Sequence, residues 1–333
     1  MINITVYYKD DCPVCDQVRR DLQSIQVEIP HTVSWININN DPQLTELYDN
    51  KVPILFAGPY QQAAPITQQE IKVMLLAAQD RVKQLQTIEP EKYHQRVERG
   101  KVITRADRIS LWLSDHYMLL CNLVVFLYVG LPFLSPIFMK IGAEFPAKAI
   151  NFIYSPLCHQ LGYRSFFLFG EQLYYPRELA GISGIKTYEE VSGNTAFDLI
   201  AGRNFYGDEK IGYKISLCQR DIAIYLSVLF FGIIFSLTGK KIKQIPWVLW
   251  IVIGLVPIGL DGVSQIPSVY ERAPLFFPIR ESTPFLRVLT GALFGITSAW
   301  FLYPMIAETM RETRLIVLRK IALIHNQRER IFS

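Results

Sequence analysis

The feature of the sequence that most limits the fold of this chain is a long stretch without charged side chains. It covers residues 117–139, 23 positions in all. A helix of that length can cross the roughly 30 Å hydrocarbon core of a bilayer. Three more apolar stretches follow, at 222–238, 246–260 and 284–306. We therefore expect an α-helical integral membrane domain over 117–306 with about four transmembrane helices.

The segment between the first two predicted spans is long and covers residues 142–221. Within it, 150–169 is a weaker apolar block that contains His159 and Arg164, so we expect it to be partly buried or re-entrant rather than spanning. The stretch 171–214 contains several glycines and predicts an ordered loop or a small cap outside the membrane.

Basic residues flank the predicted spans at alternate ends. They precede the first span, separate the second from the third, and follow the fourth: Arg99, Lys101, Arg105, Arg108, Lys240, Lys241, Lys243, Arg311, Arg314, Arg319 and Lys320. The segments 142–221 and 261–283 are close to neutral. The positive-inside rule then places both termini in the cytosol and makes 142–221 extracytoplasmic.

Two amphipathic stretches border the membrane domain. Residues 87–116 form a linker, in which Ile109, Trp112 and their apolar neighbours predict a helix along the membrane face. A plain linker helix fits that pattern as well. Residues 307–333 alternate basic and apolar side chains and predict a cytosolic amphipathic helix, which would lie on the bilayer or pack against the N-terminal domain.

Residues 1–86 have the composition of a soluble domain and predict alternating strands and helices. The predicted strands cover 2–8, 32–38, 52–57 and an edge near 60–64, and the predicted helices cover 14–25, 42–49 and 67–86. Asp41 and Pro42 fit the start of the short helix, and Thr67 with Glu70 has capping-box spacing. The alternation indicates a small α/β domain. Its start lacks the features of a secretory signal peptide, so we expect the domain to stay in the cytosol.

Two cysteines stand where the first strand gives way to a helix, in the sequence Cys12-Pro13-Val14-Cys15. Helix amides and the helix dipole stabilise a thiolate at such a position, so Cys12 is the expected nucleophile and Cys15 the residue that resolves a mixed disulfide. Two alternatives stay open: a zinc or iron–sulfur ligand pair, and a degenerate domain used for docking. No second Cys-x-x-Cys pair or nearby histidine completes a metal set.

Three segments of this domain carry a family resemblance: Tyr8-Lys9-Asp10-Asp11-Cys12-Pro13-Val14-Cys15, Asn37-Ile38-Asn39-Asn40-Asp41-Pro42 and Lys51-Val52-Pro53-Ile54-Leu55. They resemble the glutaredoxin/thioredoxin-like family, closest to its small bacterial glutaredoxin-like branch. The resemblance implies a thioredoxin-like fold and places Pro53, with a cis peptide bond, beside the active disulfide.

Glutathione-using relatives usually carry a Gly-Gly and acidic pair after the next strand. This chain has Ala57-Gly58-Pro59-Tyr60-Gln61-Gln62, which argues against glutathione, and a protein thiol partner fits as well.

Chemically active side chains gather near the outer ends of the predicted spans. The candidate metal ligands there are Cys158, His159, Cys218, Asp221 and Asp261, and the polar cluster at this depth comprises Arg220, Asp221, Asp261, Gln265 and Arg287. Ionisable groups at such depth are costly unless they are paired. One interpretation is an Arg–Asp pair that fixes helix packing, with an extracytoplasmic Cys158–Cys218 disulfide. The other is a metal or substrate site at the outer face.

The membrane half carries a second resemblance. It rests on Ser155-Pro156-Leu157-Cys158-His159-Gln160, Arg164-Ser165-Phe166-Phe167, Cys218-Gln219-Arg220, Ile224-Tyr225, Leu260-Asp261 with Gln265, and Arg287-Val288-Leu289-Thr290-Gly291. These segments resemble a family of predicted bacterial and archaeal membrane proteins, domain-of-unknown-function family 2085, over roughly 117–306. In that family the second cysteine cluster commonly reads Cys-x-x-Cys and continues with Gly, where this chain has Asp221 and Ala223. A metal would then need His159, Asp221 or Asp261 as ligands.

Two functional hypotheses of different class follow. The first is a membrane-anchored thiol–disulfide oxidoreductase acting through the cytosolic Cys12/Cys15 pair. The second is a non-enzymatic membrane subunit, assembly factor or metal-handling protein with a glutaredoxin-like docking or sensing domain. Small-molecule transport fits less well, because no inverted repeat is visible.

The expected surroundings of the chain follow from the same features. The expected partners are membrane lipid, a protein thiol, and either a membrane complex or a second copy of the chain. A net charge of +4 without a basic stripe argues against nucleic acid. We expect a multi-pass protein of a bacterial plasma membrane or another internal bacterial membrane.

Overall fold

A computed structural model describes residues 2–40, 44–45, 48–195, 198–265 and 280–332, of which 325–332 are described for the backbone alone. The chain divides into two compact units. The first combines Met1–Ser114 with Glu312–Ser333, and the second is Asp115–Arg311. The predicted short helix at 42–49, with Asp41 and Pro42 at its start, lies largely outside the described residues.

The first unit is built on a four-stranded mixed sheet. Its strands are β1 (Ile2–Tyr8), β2 (His31–Asn37), β3 (Ile54–Ala57) and β4 (Tyr60–Ala63), in the spatial order β2-β1-β3-β4. Strand β1 pairs parallel with β2 and antiparallel with β3, which forms a hairpin with β4. The mixed sheet confirms the α/β fold predicted for the N-terminal domain, including its edge strand near 60–64.

The helices of ten or more residues described around this sheet are α1 (Pro13–Ile25), α2 (Gln68–Ile88) and α3 (Pro90–Gly100). Helix α1 connects the parallel strands β1 and β2, as a parallel pair requires. The predicted capping box opens α2, because the Thr67 side chain accepts from the Glu70 N–H while the Glu70 carboxylate accepts from the Thr67 N–H. This reciprocal pair satisfies two backbone donors that have no partner inside the helix.

Each face of the sheet buries its own apolar cluster, because successive strand residues point to opposite sides. On one face, Ile4 and Leu55 pack with apolar side chains of α1 and α2. On the other face, Tyr7 and Phe56 pack in a cluster that Leu315 joins from the C-terminal part of the chain. Both faces of this small sheet are therefore covered.

After Gly100, the part of the chain that the structure describes contains α4 (Arg105–Gly130), α5 (Leu134–Lys140), α6 (Glu144–Tyr154), α7 (Tyr188–Ser192), α8 (Leu199–Asn204), α9 (Gln219–Leu237), α10 (Trp247–Val263) and α11 (Pro284–Phe332). A short 3₁₀ turn, Leu131–Phe133, joins α4 to α5. Helix α10 contains a π-helical segment, Trp250–Leu255.

Among the described residues, three helical stretches are long and apolar enough to cross a membrane: Arg105–Lys140, Gln219–Leu237 and Pro284–Ile324. They confirm the predicted helical membrane domain and contain three of the predicted spans. The third predicted span, 246–260, lies in the shorter apolar helix Trp247–Val263. Four is therefore an approximate count.

No helix break marks either predicted boundary of the membrane domain. The linker helix expected before residue 117 runs without interruption into the first apolar span as α4. The fourth span and the C-terminal amphipathic helix likewise form one helix of 49 residues, α11, which continues through Pro304. Separate helices were predicted from the change in polarity, but a change of environment does not require a break in backbone hydrogen bonding.

The C-terminal part of α11 makes its contacts within the first unit. The Arg319 guanidinium lies 3.7 Å from the ring centre of Phe56. Lys320 Nζ donates a hydrogen bond of 2.6 Å to Asp107 Oδ2. Of the two placements predicted for 307–333, the contact with Phe56 favours packing against the N-terminal domain, and the contact with Asp107 joins this segment to the linker.

The long segment of the second unit is folded. Strands β5 (Ser165–Leu168), β6 (Gly207–Asp208) and β7 (Gly212–Cys218) form an antiparallel sheet in the order β5-β7-β6. Aromatic side chains, including Phe167, Tyr175 and Tyr188, form its buried core. Residues 150–169 are divided between α6, a loop and β5, so this weaker apolar block does not form a spanning helix.

Candidate functional site

Cys12 and Cys15 form a disulfide at the N-terminus of α1. Cys12 is the N-cap residue, and Pro13 occupies the first turn, where a helix does not need the missing N–H. The Cys15 N–H donates to the Cys12 sulfur over 3.2 Å and to the Cys12 carbonyl over 2.9 Å. An N–H group and a helix N-terminus directed at this sulfur favour its thiolate once the disulfide is reduced.

The two sulfur-bearing residues differ in exposure. Cys15 is buried, with 4% of its surface exposed, whereas Cys12 is partly exposed. Between them, the Val14 side chain is 48% exposed. A macromolecular partner can therefore approach Cys12 more easily than Cys15, which agrees with the predicted roles of attacking and resolving cysteine.

The loop before Cys12 is held from the end of β2. Asn37 Nδ2 donates to both carboxylate oxygens of Asp10, each over 3.0 Å, and Asn39 Nδ2 donates to the same carboxylate over 3.3 Å. Asn37 and Asn39 belong to the second segment of the glutaredoxin-like resemblance. Its asparagines thus position the loop that carries the cysteine pair.

Lys9, another charged residue of this loop, also has a partner. Lys9 Nζ lies 2.9 Å from Asp49 Oδ1 and donates to the Asp49 carbonyl over 3.1 Å. Because the Asp49 carboxylate offsets part of the lysine charge, Lys9 favours a Cys12 thiolate less than an unpaired lysine at the same position would.

Pro53 lies at the sheet edge from which the cysteine loop departs. It is buried, its peptide bond with Val52 is cis, and it directly precedes β3. Since Tyr7 of β1 pairs with Ile54 of β3, Pro53 is placed beside the end of β1 that leads to Cys12. The direct contact of Pro53 with a thiol substrate stays a prediction.

In the second unit, the structure brings together Cys158, Cys218 and Asp221. Their sulfur and carboxylate atoms all lie within 4.8 Å of one another. Cys158 follows α6 in a loop, Cys218 is the N-cap residue of α9, and Asp221 lies in the first turn of that helix. Three of the five predicted metal ligands therefore converge at one helix end.

Both sulfurs in this group receive backbone hydrogen bonds. The Cys218 N–H donates to the Cys158 sulfur over 3.4 Å, and the Asp221 N–H donates to the Cys218 sulfur over 3.5 Å. A hydrogen bond with the Cys218 thiol, together with burial, raises the pKa of the Cys158 thiol. Cys158 and Cys218 are free thiols in this structure, and the disulfide between them stays a prediction.

A pocket with a volume of about 310 Å³ adjoins this group. It is lined by Cys158, Cys218, Asp221, Arg164, Arg220 and Arg287. The predicted residues His159 and Gln265 also line it, although His159 lies outside the group of converging ligand atoms. The pocket thus combines thiols with several guanidinium groups.

The Asp261 carboxylate is bound by side chains outside the group of Cys158, Cys218 and Asp221. Arg220 forms an ion pair with it, Arg280 Nη2 donates to Oδ1 over 2.8 Å, and Ser282 Oγ donates to Oδ2 over 2.9 Å. The Gln265 side chain donates to the Asp261 carbonyl over 2.5 Å. The predicted Arg–Asp pair is therefore present. Asp261 is not one of the three residues whose ligand atoms converge, and its carboxylate instead binds arginine and serine side chains.

Arg287 belongs to a second buried network. It pairs with Glu281 and donates to Gln265 Oε1 over 3.2 Å. Glu281 also accepts two hydrogen bonds from Arg164, over 2.9 and 3.0 Å. One buried carboxylate therefore holds two arginines that line the pocket.

Sequence reasoning missed Glu281, Arg280 and Ser282. Their local signal was the charged and polar stretch directly before the apolar residues 284–306. The polarity of that stretch does not reveal which of the arginines would pair with Glu281. Arg164 stands 117 positions away from Glu281, so no local spacing identifies the pair.

Glycines of α11 allow a close approach to α9. A Cβ atom built at Gly295 would lie 2.2 Å from the Ile224 carbonyl oxygen, and one at Gly291 would lie 2.7 Å from the Arg220 carbonyl oxygen. The two glycines form a Gly-x-x-x-Gly motif, a spacing that lets membrane helices pack closely. This contact fixes the end of α9 on which Cys218 and Asp221 lie.

Comparison with known proteins agrees with this division of the chain. Residues 3–103 match the family described as Glutaredoxin-like domain (DUF836), and residues 202–301 match the family described as Predicted membrane protein (DUF2085). Both predicted resemblances are confirmed. The chain joins a glutaredoxin-like segment to a segment similar to predicted membrane proteins.

One curated protein shows a distant similarity. The chain is 24% identical over 202 residues to "Uncharacterized protein MJ1492" of Methanocaldococcus jannaschii, which covers 59% of this chain and 96% of that protein. No solved structure matches the chain. The similarity therefore adds no activity to that inferred from the two sites.

Proposed function

We propose that this chain, a glutaredoxin-like segment fused to membrane helices, is a membrane-anchored thiol–disulfide oxidoreductase. The observation that carries the proposal is the Cys12–Cys15 disulfide at a helix N-terminus, with Cys12 accessible and Cys15 buried. Two cysteines in such an arrangement suit reversible exchange, because the accessible thiolate attacks and the buried thiol closes the ring.

The exchange proceeds in two steps. The Cys12 thiolate attacks one sulfur of a partner's disulfide, forming a mixed disulfide and releasing the partner's other sulfur as a thiolate. Cys15 then loses its proton and attacks the Cys12 sulfur, which releases the partner's second thiolate. The partner gains two electrons, and Cys12 and Cys15 lose them. The reverse sequence oxidises a partner dithiol, and the relative reduction potentials set the direction.

A protein is the preferred thiol partner. The hairpin after β3 turns at Gly58 and continues with Tyr60, Gln61 and Gln62, where glutathione-using relatives carry Gly-Gly and an acidic pair. Exposed Val14 and Tyr60 provide apolar contact surface, which is more useful for an extended polypeptide than for a charged tripeptide.

The membrane helices hold the redox domain at a lipid surface. The basic residues before α4, after α9 and along the C-terminal part of α11 support an orientation with both termini in the cytosol. In that orientation Cys12 and Cys15 meet cytosolic partners or the cytosolic loops of membrane partners.

A trapping experiment tests this function in cells that produce the full-length protein. Cys15→Ser should accumulate adducts through Cys12 that non-reducing electrophoresis detects and dithiothreitol removes. Cys12→Ser should accumulate far fewer, because Cys15 is buried. The Cys12→Ser/Cys15→Ser variant is the matched control. The proposal is wrong if Cys15→Ser gives no more adducts than this control.

The same double variant separates the enzyme from a non-enzymatic subunit or assembly factor. An oxidoreductase loses its cellular phenotype when both cysteines become serines. A docking domain keeps its phenotype, because docking does not depend on the sulfur chemistry that the two Cys→Ser changes remove.

A further inference from the structure

We propose that Cys158, Cys218 and Asp221 bind one Zn²⁺ ion and leave its fourth coordination position open to the arginine-lined pocket. The site belongs to the second unit and is independent of the Cys12/Cys15 exchange.

The donor atoms have the right chemistry and nearly the right spacing. Two thiolates and one carboxylate form a ligand set that tetrahedral zinc accepts. With zinc–sulfur bonds of about 2.3 Å, two sulfurs on one tetrahedral ion lie roughly 3.8 Å apart. The ligand atoms of Cys158, Cys218 and Asp221 lie within 4.8 Å of one another, so each must move by about 1 Å or less.

Backbone N–H groups donate hydrogen bonds to both sulfurs. The N–H groups of Cys218 and Asp221 donate to the sulfurs of Cys158 and Cys218, over 3.4 and 3.5 Å. Such hydrogen bonds orient metal-bound sulfur and offset its negative charge. The two N–H groups belong to the N-terminus of α9, so the helix that supplies two ligands also stabilises them electrostatically.

The charge balance of the site is favourable. Two thiolates and a carboxylate carry three negative charges, so bound Zn²⁺ leaves a net charge of minus one. Arg164, Arg220 and Arg287 line the adjoining pocket and are positive. Their other neighbours, Asp261 and Glu281, already pair with them, so the arginines stay in place whether or not the metal is bound.

The open coordination position determines what the bound zinc ion could bind in addition to its three protein ligands. Structural zinc sites use four protein ligands, whereas sites with three leave one position for water or a ligand. The pocket beside Cys158 and Cys218 has a volume of about 310 Å³, enough for a water molecule or a small organic ion. Since arginines dominate its polar lining, an exogenous ligand on the metal is an anion, such as a carboxylate or a phosphate.

The other sequence candidates are poorer ligands. Asp261 is held by Arg220, Arg280 and Ser282. His159 lines the pocket but lies outside the converging group. The fit therefore selects Asp221 as the third ligand.

The test uses full-length protein in detergent, with Cys12→Ser/Cys15→Ser as the background so that the N-terminal pair cannot bind zinc. After reduction and removal of bound metal, Zn²⁺ is titrated against a chromophoric chelator, and elemental analysis gives the stoichiometry. We expect one zinc per chain. Cys158→Ser, Cys218→Ser and Asp221→Asn should each weaken binding at least tenfold, whereas Cys121→Ser, which changes a remote free cysteine, should leave it unchanged.

Cobalt substitution keeps the test decisive if a serine variant folds poorly. Co²⁺ bound to the background protein should show thiolate-to-cobalt charge-transfer absorption, which Asp221→Asn perturbs without removing a thiol. The proposal is overturned if the reduced, folded background protein binds no stoichiometric zinc. Equal zinc affinity in the Cys158→Ser/Cys218→Ser variant also overturns it. The proposal is also overturned if Cys158 and Cys218 form a disulfide that resists reduction, because a disulfide cannot bind zinc as two thiolates.

Discussion

The backbone N–H of Cys15 donates a hydrogen bond to the sulfur of Cys12, 3.2 Å away, at the first turn of α1. The same residue that would resolve a mixed disulfide therefore also stabilises the attacking sulfur. Cys15 itself is 4% exposed, so its own sulfur is reached through Cys12 rather than directly by a partner.

This asymmetry predicts different alkylation rates after reduction. Cys12 should react with iodoacetamide at least tenfold faster than Cys15 at neutral pH, because it is more exposed and its thiolate is favoured. Mass spectrometry of quenched time points measures both rates in the full chain. Equal rates at the two cysteines would contradict the assigned roles.

The capping box of α2 predicts a pH dependence. Hydrogen bonds from the backbone and side chain of Thr67 lower the pKa of Glu70 from its ordinary value of 4.5. A lowered folded-state pKa contributes stability that is present above about pH 4.5 and is lost as the pH falls through the folded-state value.

Glu70→Gln should therefore lower the unfolding temperature at pH 7, and the difference from wild type should shrink towards pH 3. Thr67→Ala should cost about 1 kcal/mol, the usual value for a lost N-cap. Thermal unfolding in detergent across this pH range measures both effects. A Glu70→Gln difference that stays constant down to pH 3 would show that the Glu70 charge does not contribute.

The contact between α9 and α11 predicts a large effect of one methyl group. Gly295→Ala should destabilise the protein by about 1–3 kcal/mol, because its Cβ would lie 2.2 Å from the Ile224 carbonyl oxygen. Gly259→Ala is the matched control, since nothing lies within 4 Å of a Cβ at that helical position. Denaturation with sodium dodecyl sulfate compares the two variants, and equal stabilities would contradict the close packing.

Breaking the buried Arg220–Asp261 pair should be costly. Asp261→Asn leaves Arg220 and Arg280 without their shared carboxylate, and loss of one partner from a buried pair typically costs about 3 kcal/mol or more. Asp221→Asn is the control, because no ion pair of Asp221 is found among the described residues. Chemical denaturation of metal-free protein measures the stability of both variants. An equal loss of stability in both would show that the ion pairs of Asp261 contribute no more to the free energy of unfolding than the Asp221 side chain does.

Local sequence patterns predicted the parts of the fold that local chemistry determines. Within the described residues, the alternation of strands and helices in the N-terminal domain, the Thr67–Glu70 capping box and three of the four predicted spans appear close to their expected positions. No helix break marks the predicted boundary before the first span, because no glycine or proline stands between Arg105 and Val129 to end the helix. Polarity changes along α4 while its helical periodicity does not.

The second site was only partly visible in the sequence. Cys218 and Asp221 share a helix turn, so their proximity follows from spacing alone. Cys158 and Glu281 reach the site from distant segments, and the chain gives no local sign of which partners they meet. The three-dimensional packing of α9 with α11, together with the folded segment between α6 and α9, decides those contacts.

The redox state of Cys12 and Cys15 in intact cells tests the proposed thiol–disulfide exchange directly. Cells producing the Cys121→Ser/Cys158→Ser/Cys218→Ser variant are quenched in acid, and free and oxidised thiols are labelled with reagents of different mass. If the exchange operates, this pair shifts between disulfide and dithiol within minutes of an oxidant or reductant pulse. A pair that stays fully oxidised under both pulses, or stays fully reduced under both, would contradict it.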